Sequence, residues 1–176
     1  REFHERCPDA LIVAGGPHVQ QAEDYLIDDP IDAVVLGEGE ITFTELLDAS
    51  ERRSWATIAG LAYVDDGHVV TTPARERTRD MSVFPSALDV LQLVDDRGEP
   101  LYESISYETS RGCPFTCAFC EWGTGDLGSK MYQHSLERIR ADWEKITAAG
   151  IKNLWLADSN FGALKADLDK ARMIVE

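Results

Sequence analysis

Cys113, Cys117 and Cys120 lie in the run Arg111-Gly112-Cys113-Pro114-Phe115-Thr116-Cys117-Ala118-Phe119-Cys120, with three residues between the first pair and two between the second. Thiolates are metal ligands, and cubane iron–sulfur clusters are held by Cys thiolates. A loop this short brings three sulfurs to three irons. The remaining cysteine, Cys7, stands alone before Pro8 and reads as a reduced packing residue. One iron is then left without a protein ligand, and an open iron binds and activates small molecules. Other chemistry is open to the same residues. A disulfide plus a spare thiol suits secreted chains, but no signal-peptide pattern opens this one. A structural zinc site takes four ligands; His134 would be a distant fourth, outside the usual finger spacing.

These cysteines need elements to hold them. Ser104-Ile105-Ser106-Tyr107-Glu108-Thr109 alternates and predicts a strand entering the loop. Pro114 and the glycines at 112, 123, 125 and 128 keep the loop irregular. Ser135 predicts a helix cap, with the helix running to Ala149 and stopping at Gly150. Its inward stripe is Leu136, Ile139, Trp143 and Ile146. Ile151 to Ala157 predicts a buried strand that ends in the polar group Asp158-Ser159-Asn160-Phe161-Gly162. Polar residues at the carboxyl end of a barrel strand suit an active face; a self-satisfied turn capping the next helix explains them equally.

Upstream, Leu11-Ile12-Val13-Ala14 and Ala33-Val34-Val35-Leu36 are short apolar runs, the pattern of strands buried on both faces. A helix is expected over residues 19–27, stopped before Asp29-Pro30, and another after Glu40 with Phe43, Leu46 and Leu47 on its inner face. Strand–helix–strand–helix is the grammar of a parallel α/β sheet. In such sheets ligands bind at the carboxyl ends of strands, where Gly15-Gly16-Pro17-His18 and Gly37-Glu38-Gly39-Glu40 fall. Gly after a strand also serves as a plain turn, and Glu40 also suits a helix N-terminus. Leu61–Val64, Asp65-Asp66-Gly67 and His68–Thr71 predict a β-hairpin.

The CxxxCxxC triplet with Phe119 before its last Cys, preceded by Glu108-Thr109-Ser110-Arg111-Gly112 and followed by Glu121-Trp122-Gly123, resembles the signature of radical S-adenosylmethionine (SAM) enzymes. The resemblance implies a [4Fe-4S] cluster on Cys113, Cys117 and Cys120, and SAM chelating the fourth iron. It also implies reductive cleavage of SAM to a hydrogen-abstracting 5′-deoxyadenosyl radical. Phe119 would border SAM, and Asp158, Ser159 and Asn160 would stand where the family often has Gly-Gly-Glu, a departure in sequence that leaves only a positional match. The two Gly-rich turns resemble the second half of a cobalamin (B12)-binding domain, which implies that Gly15, Gly16, Pro17 and His18 and Gly37, Glu38, Gly39 and Glu40 lie against the corrin and its nucleotide tail. His18 is not expected to ligate cobalt. Asp80–Ser86 is similar to the approach to the barrel in B12-dependent members.

The resemblance thus implies an α/β chain: the C-terminal half of a Rossmann-like B12-binding domain followed by the N-terminal part of a radical SAM partial β/α barrel. Expected limits are 1–50 for the partial cobalamin-binding domain, 51–101 for a connector with the hairpin, and 102–176 for the partial radical SAM domain. Both ends read as cuts through larger domains. The commonest reaction of this group is methyl transfer to an unactivated carbon, with methylcobalamin as donor and a second SAM recharging it. Cyclisation or rearrangement without methyl transfer, and a docking role for an α/β module that binds no B12, are the alternatives. Arg111 and Glu121 flank the triplet as SAM-orienting groups or as ordinary ion pairs.

Composition sets the partners. With 32 acidic and 17 basic residues the net charge is −15 over 176 residues, which argues against nucleic acid. No apolar stretch is long enough to span a membrane. A reducing cytoplasm fits this composition, and the resemblance implies a small-molecule or peptide substrate and an electron donor such as flavodoxin or ferredoxin.

Overall fold

Ala33-Val34-Val35 is apolar at every position because its two faces pack against different cores. The computed structural model describes residues 6–16, 19, 21–27, 30–49, 52–120 and 130–175. The calls on Pro17, His18, Glu121, Trp122 and the glycines at 123, 125 and 128 lie outside the described residues. The chain is mixed α/β and divides into two units, residues 1–78 and 79–176.

In the first unit β1 (Val13–Gly15) pairs in parallel with β2 (Ala33–Val35), Gly15 opposite Val35. Ala33 and Val35 face Leu46, Trp55, Ile58, Leu61 and Tyr63, with the Trp55 and Tyr63 rings edge to face at 5.5 Å. Val34 faces Ala22, Leu26 and Ala62 on the other side. The parallel pattern stops there. The hairpin of β3 (Leu61–Asp65) and β4 (His68–Thr71) joins the same sheet antiparallel to β2, in the order β1-β2-β3-β4 among the described residues. Its turn has Asp66 at φ 46° and Gly67 at φ 76°, the left-handed pair that a two-residue hairpin requires.

Two helical expectations need correction. The first helix, α1, covers only Glu23–Leu26, because Ala22 stands at its N-cap and supplies no capping oxygen. The second, α2 (Gly39–Asp48), buries Thr42 and Leu46, while Phe43 and Leu47 are exposed. A hydroxyl fixes that rotation. Thr42 Oγ1 donates to the Ala59 carbonyl at 2.9 Å and accepts from Arg75 Nε at 2.8 Å. Gly60, at φ 76°, lets this happen: a Cβ there would come within 3.2 Å of both the Leu36 carbonyl oxygen and Thr42 Oγ1.

In the second unit β5 (Ser104–Tyr107) pairs in parallel with β8 (Asn153–Leu156), and β6 (Ser110–Arg111) pairs with β7 (Tyr132–Gln133) in antiparallel register. Between them runs α3 (Leu136–Ala148), capped by Ser135 Oγ on the Arg138 amide and closed by Gly150 at φ 74°. Ile139, Trp143 and Ile146 are buried and pack with Ile105, Ala149 and Ile151; Leu136 is partly buried at the rim. The last helix is α4 (Asp167–Val175). The expected fully buried strand is only half-buried. Leu154 and Leu156 face the core, whereas Trp155, 73% exposed, lies opposite Ser106 on the other face.

Thr42→Val keeps the shape of the side chain but leaves the Ala59 carbonyl and Arg75 Nε without their shared partner. Unfolding in urea is expected to show a loss of about 1–3 kcal/mol, with Thr42→Ser recovering most of it.

Candidate active site

The loop carrying the cysteines begins where β5 gives way to β6. Thr109 and Ser110 are buried there and bind one carboxylate, that of Asp158 just after β8. Asp158 Oδ1 accepts from the Thr109 amide at 2.6 Å and the Ser110 amide at 3.2 Å. Its Oδ2 accepts from Ser110 Oγ at 2.9 Å and from Thr109 Oγ1. The next residue repeats the pattern, Ser159 Oγ donating to the Gly112 carbonyl. The third, Asn160, directs Nδ2 at Cys113 Sγ, 3.2 Å away. Three consecutive residues at the end of one strand thus hold residues 109–113 of the loop in ascending order.

Behind this contact Lys170 is fully buried. Its Nζ donates to Thr109 Oγ1 at 2.9 Å and to Asp167 Oδ1 at 2.7 Å. A buried ammonium is tolerable only with such partners. Asp167 also accepts the Gly162 and Leu164 amides, at 2.7 and 2.9 Å, which closes the turn after Phe161. Burial opposes ionisation of Asp167, but the Lys170 ammonium and these amides outweigh it and hold its carboxyl below the usual range. Asp167 and Lys170 are not among the expected site residues, and Thr109-Ser110 enters only as part of the run before the cysteines. The i, i+3 spacing of Asp167 and Lys170 was visible, but a buried ion pair and an exposed helical one look identical in sequence.

None of the three thiols is in a disulfide: Cys113 is buried, Cys117 exposed and Cys120 half-buried. The Cys120 amide bonds the Cys117 carbonyl at 3.1 Å, a tight turn around Ala118 and Phe119. Phe119 is 92% exposed. Among the described residues no three His, Cys, Asp or Glu side chains converge closely enough to hold a metal ion, so the loop gathers the thiols without bringing them to one point. The donor set itself, three thiols outside any disulfide on one short loop, suits an iron–sulfur cluster. Arg111 is an ion pair with Glu108, Nε and Nη2 lying 3.0 and 2.8 Å from Oε2, and its guanidinium stands 6.0 Å from the Phe84 ring centre. His134 is buried, its amide donating to the Thr109 carbonyl. Burial, then the positive charges of Arg138 and Arg111, push the His134 imidazole below its ordinary pKa.

In the first unit the parallel register brings the two Gly-rich turns side by side at the carboxyl ends of β1 and β2. At Gly16 (φ 109°) and Gly37 (φ 74°) an added Cβ would meet nothing within 4 Å, so bare backbone forms the surface a flat ligand would lie on. Gly39 is constrained differently, since a Cβ there would press within 3.2 Å of Val35 Cγ1. Glu38 is engaged in structure: its carboxylate takes Arg77 Nε at 2.9 Å and the Thr78 amide at 3.2 Å. Glu40 starts α2 in the first turn, where a negative charge complements the helix dipole.

Two outcomes follow from these contacts. Asp158→Asn replaces an acceptor-only group by one whose amide faces donors, and chemical denaturation of the second unit is expected to shift by about 2–3 kcal/mol. As pH falls below about 6.5, the unfolded chain takes up a proton on His134 that the folded chain resists, so stability declines there. His134→Gln is expected to flatten that part of a stability-versus-pH curve.

No family model matches the chain. It is 31% identical over 183 residues to the cobalamin-dependent radical SAM methyltransferase TokK of Streptomyces tokunonensis, covering 98% of this chain and 26% of that one. It is 33% identical over 184 residues to the 2-(S-pantetheinyl)-carbapenam-3-carboxylate methyltransferase of Streptantibioticus cattleyicolor, covering 100% and 27%. The chain therefore spans about a quarter of the length of these curated relatives. Its fold is that of the radical SAM methyltransferase TsrM of Kitasatospora setae, solved with tryptophan substrate and a SAM analogue, at a TM-score of 0.67, 23% identity, 98% of this chain and 35% of that one. The three-cysteine loop, the paired glycine turns and these similarities together make the chain a member of the radical SAM enzymes that carry a cobalamin-binding domain.

Proposed function

We propose that this chain supplies the cofactor-facing parts of a cobalamin-dependent radical SAM methyltransferase acting on an unactivated carbon of a small-molecule substrate. In this reading residues 1–50 are half of the cobalamin-binding domain, 51–101 the connector and 102–176 the start of the radical SAM barrel. Cys113, Cys117 and Cys120 hold the [4Fe-4S] cluster. The observation that carries the reading is the attachment of the thiol loop to the end of β8 through Asp158, Ser159 and Asn160.

When bound, the cluster and SAM supply radical chemistry, and cobalamin carries the methyl group. The protein's part is placement. The Asp158 carboxylate, filled by Thr109 and Ser110, fixes the loop entrance and has little capacity left for SAM. Ser159 fixes the loop through the Gly112 carbonyl. Residues 158–160 thus border SAM by shaping the loop that binds it. Phe119, with its ring exposed beside Cys120, offers an apolar face to the SAM adenine. Arg111, paired with Glu108, orients the loop near Cys113. Gly15, Gly16, Pro17 and His18 and Gly37, Glu38, Gly39 and Glu40 make the corrin-facing surface, in which Glu38 acts through its bond to Arg77. A flavodoxin or ferredoxin delivers the electron. No helix among the described residues is long and apolar enough to cross a membrane, which is compatible with a cytoplasmic enzyme.

The full-length protein, purified anaerobically and reconstituted with iron, sulfide and cobalamin, is expected to contain iron and sulfide and to show corrin absorbance. With SAM, reductant and substrate it should give S-adenosylhomocysteine and a methylated product. 5′-Deoxyadenosine without methyl transfer would favour cyclisation or rearrangement, absence of corrin a docking module, and one zinc without sulfide a structural metal site. Gly37→Leu, at a backbone strain of about 1–2 kcal/mol, should lower cobalamin uptake about tenfold or more by covering the corrin surface. Its iron content should not change.

A further inference from the structure

Asp158, Ser159 and Asn160 all reach the same loop, but their partners differ in kind. The first two bind backbone and hydroxyl groups, whereas the Asn160 amide donates to a sulfur, Cys113 Sγ at 3.2 Å. Cys113 is 6% exposed as a residue, so water does little to screen the contact. The backbone that carries this amide is also held in place. Ser159 is anchored on the Gly112 carbonyl, and the Asn160 carbonyl accepts the Ala163 amide at 3.3 Å.

We propose that Asn160 is a positioning residue that acts through Cys113, setting the reduction potential of the cluster, and not a direct SAM contact. An N–H donor on a ligating thiolate draws negative charge from the sulfur. This favours the reduced cluster, which holds one more electron, and raises its potential. Cys117 is exposed and can be solvated by water, so Cys113 is the ligand whose charge the protein controls most directly. The electron comes from the same flavodoxin- or ferredoxin-type donor, and a higher potential increases the fraction of enzyme that this donor reduces. The inference rests on the cluster reading of the three cysteines.

The test is an equilibrium redox titration of the reconstituted full-length protein, followed by electron paramagnetic resonance of the reduced cluster, with SAM affinity measured in parallel. Asn160→Leu removes the donor at similar volume. At a fixed solution potential its reduced-to-oxidised ratio is expected to fall about threefold or more, with iron and sulfide content retained. Asn160→Gln, which keeps an amide, should recover part of the shift. An intact cluster with an unchanged ratio in Asn160→Leu overturns the inference, and so does weakened SAM binding at an unchanged potential. If Asn160→Leu loses its cluster, wild-type protein enriched in 15N-asparagine gives the second reading. A nitrogen coupling in pulsed spectra of the reduced cluster supports the hydrogen bond, and its absence overturns it. Wild-type protein without iron and sulfide fails a different claim, the cluster reading itself.

Discussion

One carboxylate joins the end of β8 to the start of the cysteine loop. Asp158 accepts two amides and two hydroxyls from Thr109 and Ser110. Four donors, from two buried residues, converge on this half-buried carboxylate and fix its orientation. Since Thr109 and Ser110 lie at the exit of β5, this interaction sets the path of the chain out of the sheet. The first cysteine follows within a few residues. Lys170 then balances the charge from behind, through the Thr109 hydroxyl it shares with Asp158. The loop is irregular, but its entrance is not free.

The first unit solves a different problem with similar means. Its glycine turns present bare backbone at Gly16 and Gly37, so they are not stabilised by side chains of their own. Support comes from the segment after β4. Arg75 and Arg77 reach Thr42 and Glu38 around the β2–α2 turn. The charged residues at this turn therefore keep bare glycine backbone in position.

Much of this was legible from local pattern. The Ser135 cap, the Gly150 stop and the Asp66-Gly67 turn are short-range signals, and each has its expected place in the fold. The misses are long-range. Nothing near Asp158 in sequence reveals that its partners lie 48 and 49 residues earlier. The α2 stripe misled because Thr42, a polar residue, takes the inner face that Phe43 and Leu47 were expected to fill. Ile151–Ala157 read as fully buried because Trp155 counts as apolar, although its ring lies on the exposed side of the strand. Hydrophobicity locates a strand; it does not say how many of its faces are covered.

The hairpin has a consequence for how the first sheet can grow. A parallel strand is added through a crossover, and it needs an edge with free backbone donors and acceptors. The β2 edge away from β1 is taken by β3, which runs in the opposite direction, and β3 is covered in turn by β4. No parallel strand pairs with β2 on that side, and the outer strand there among the described residues is β4, itself antiparallel to β3. The hairpin thus gives the sheet two unlike sides: a parallel pair ends at β1, beside the glycine turn at Gly15, and an antiparallel pair ends at β4.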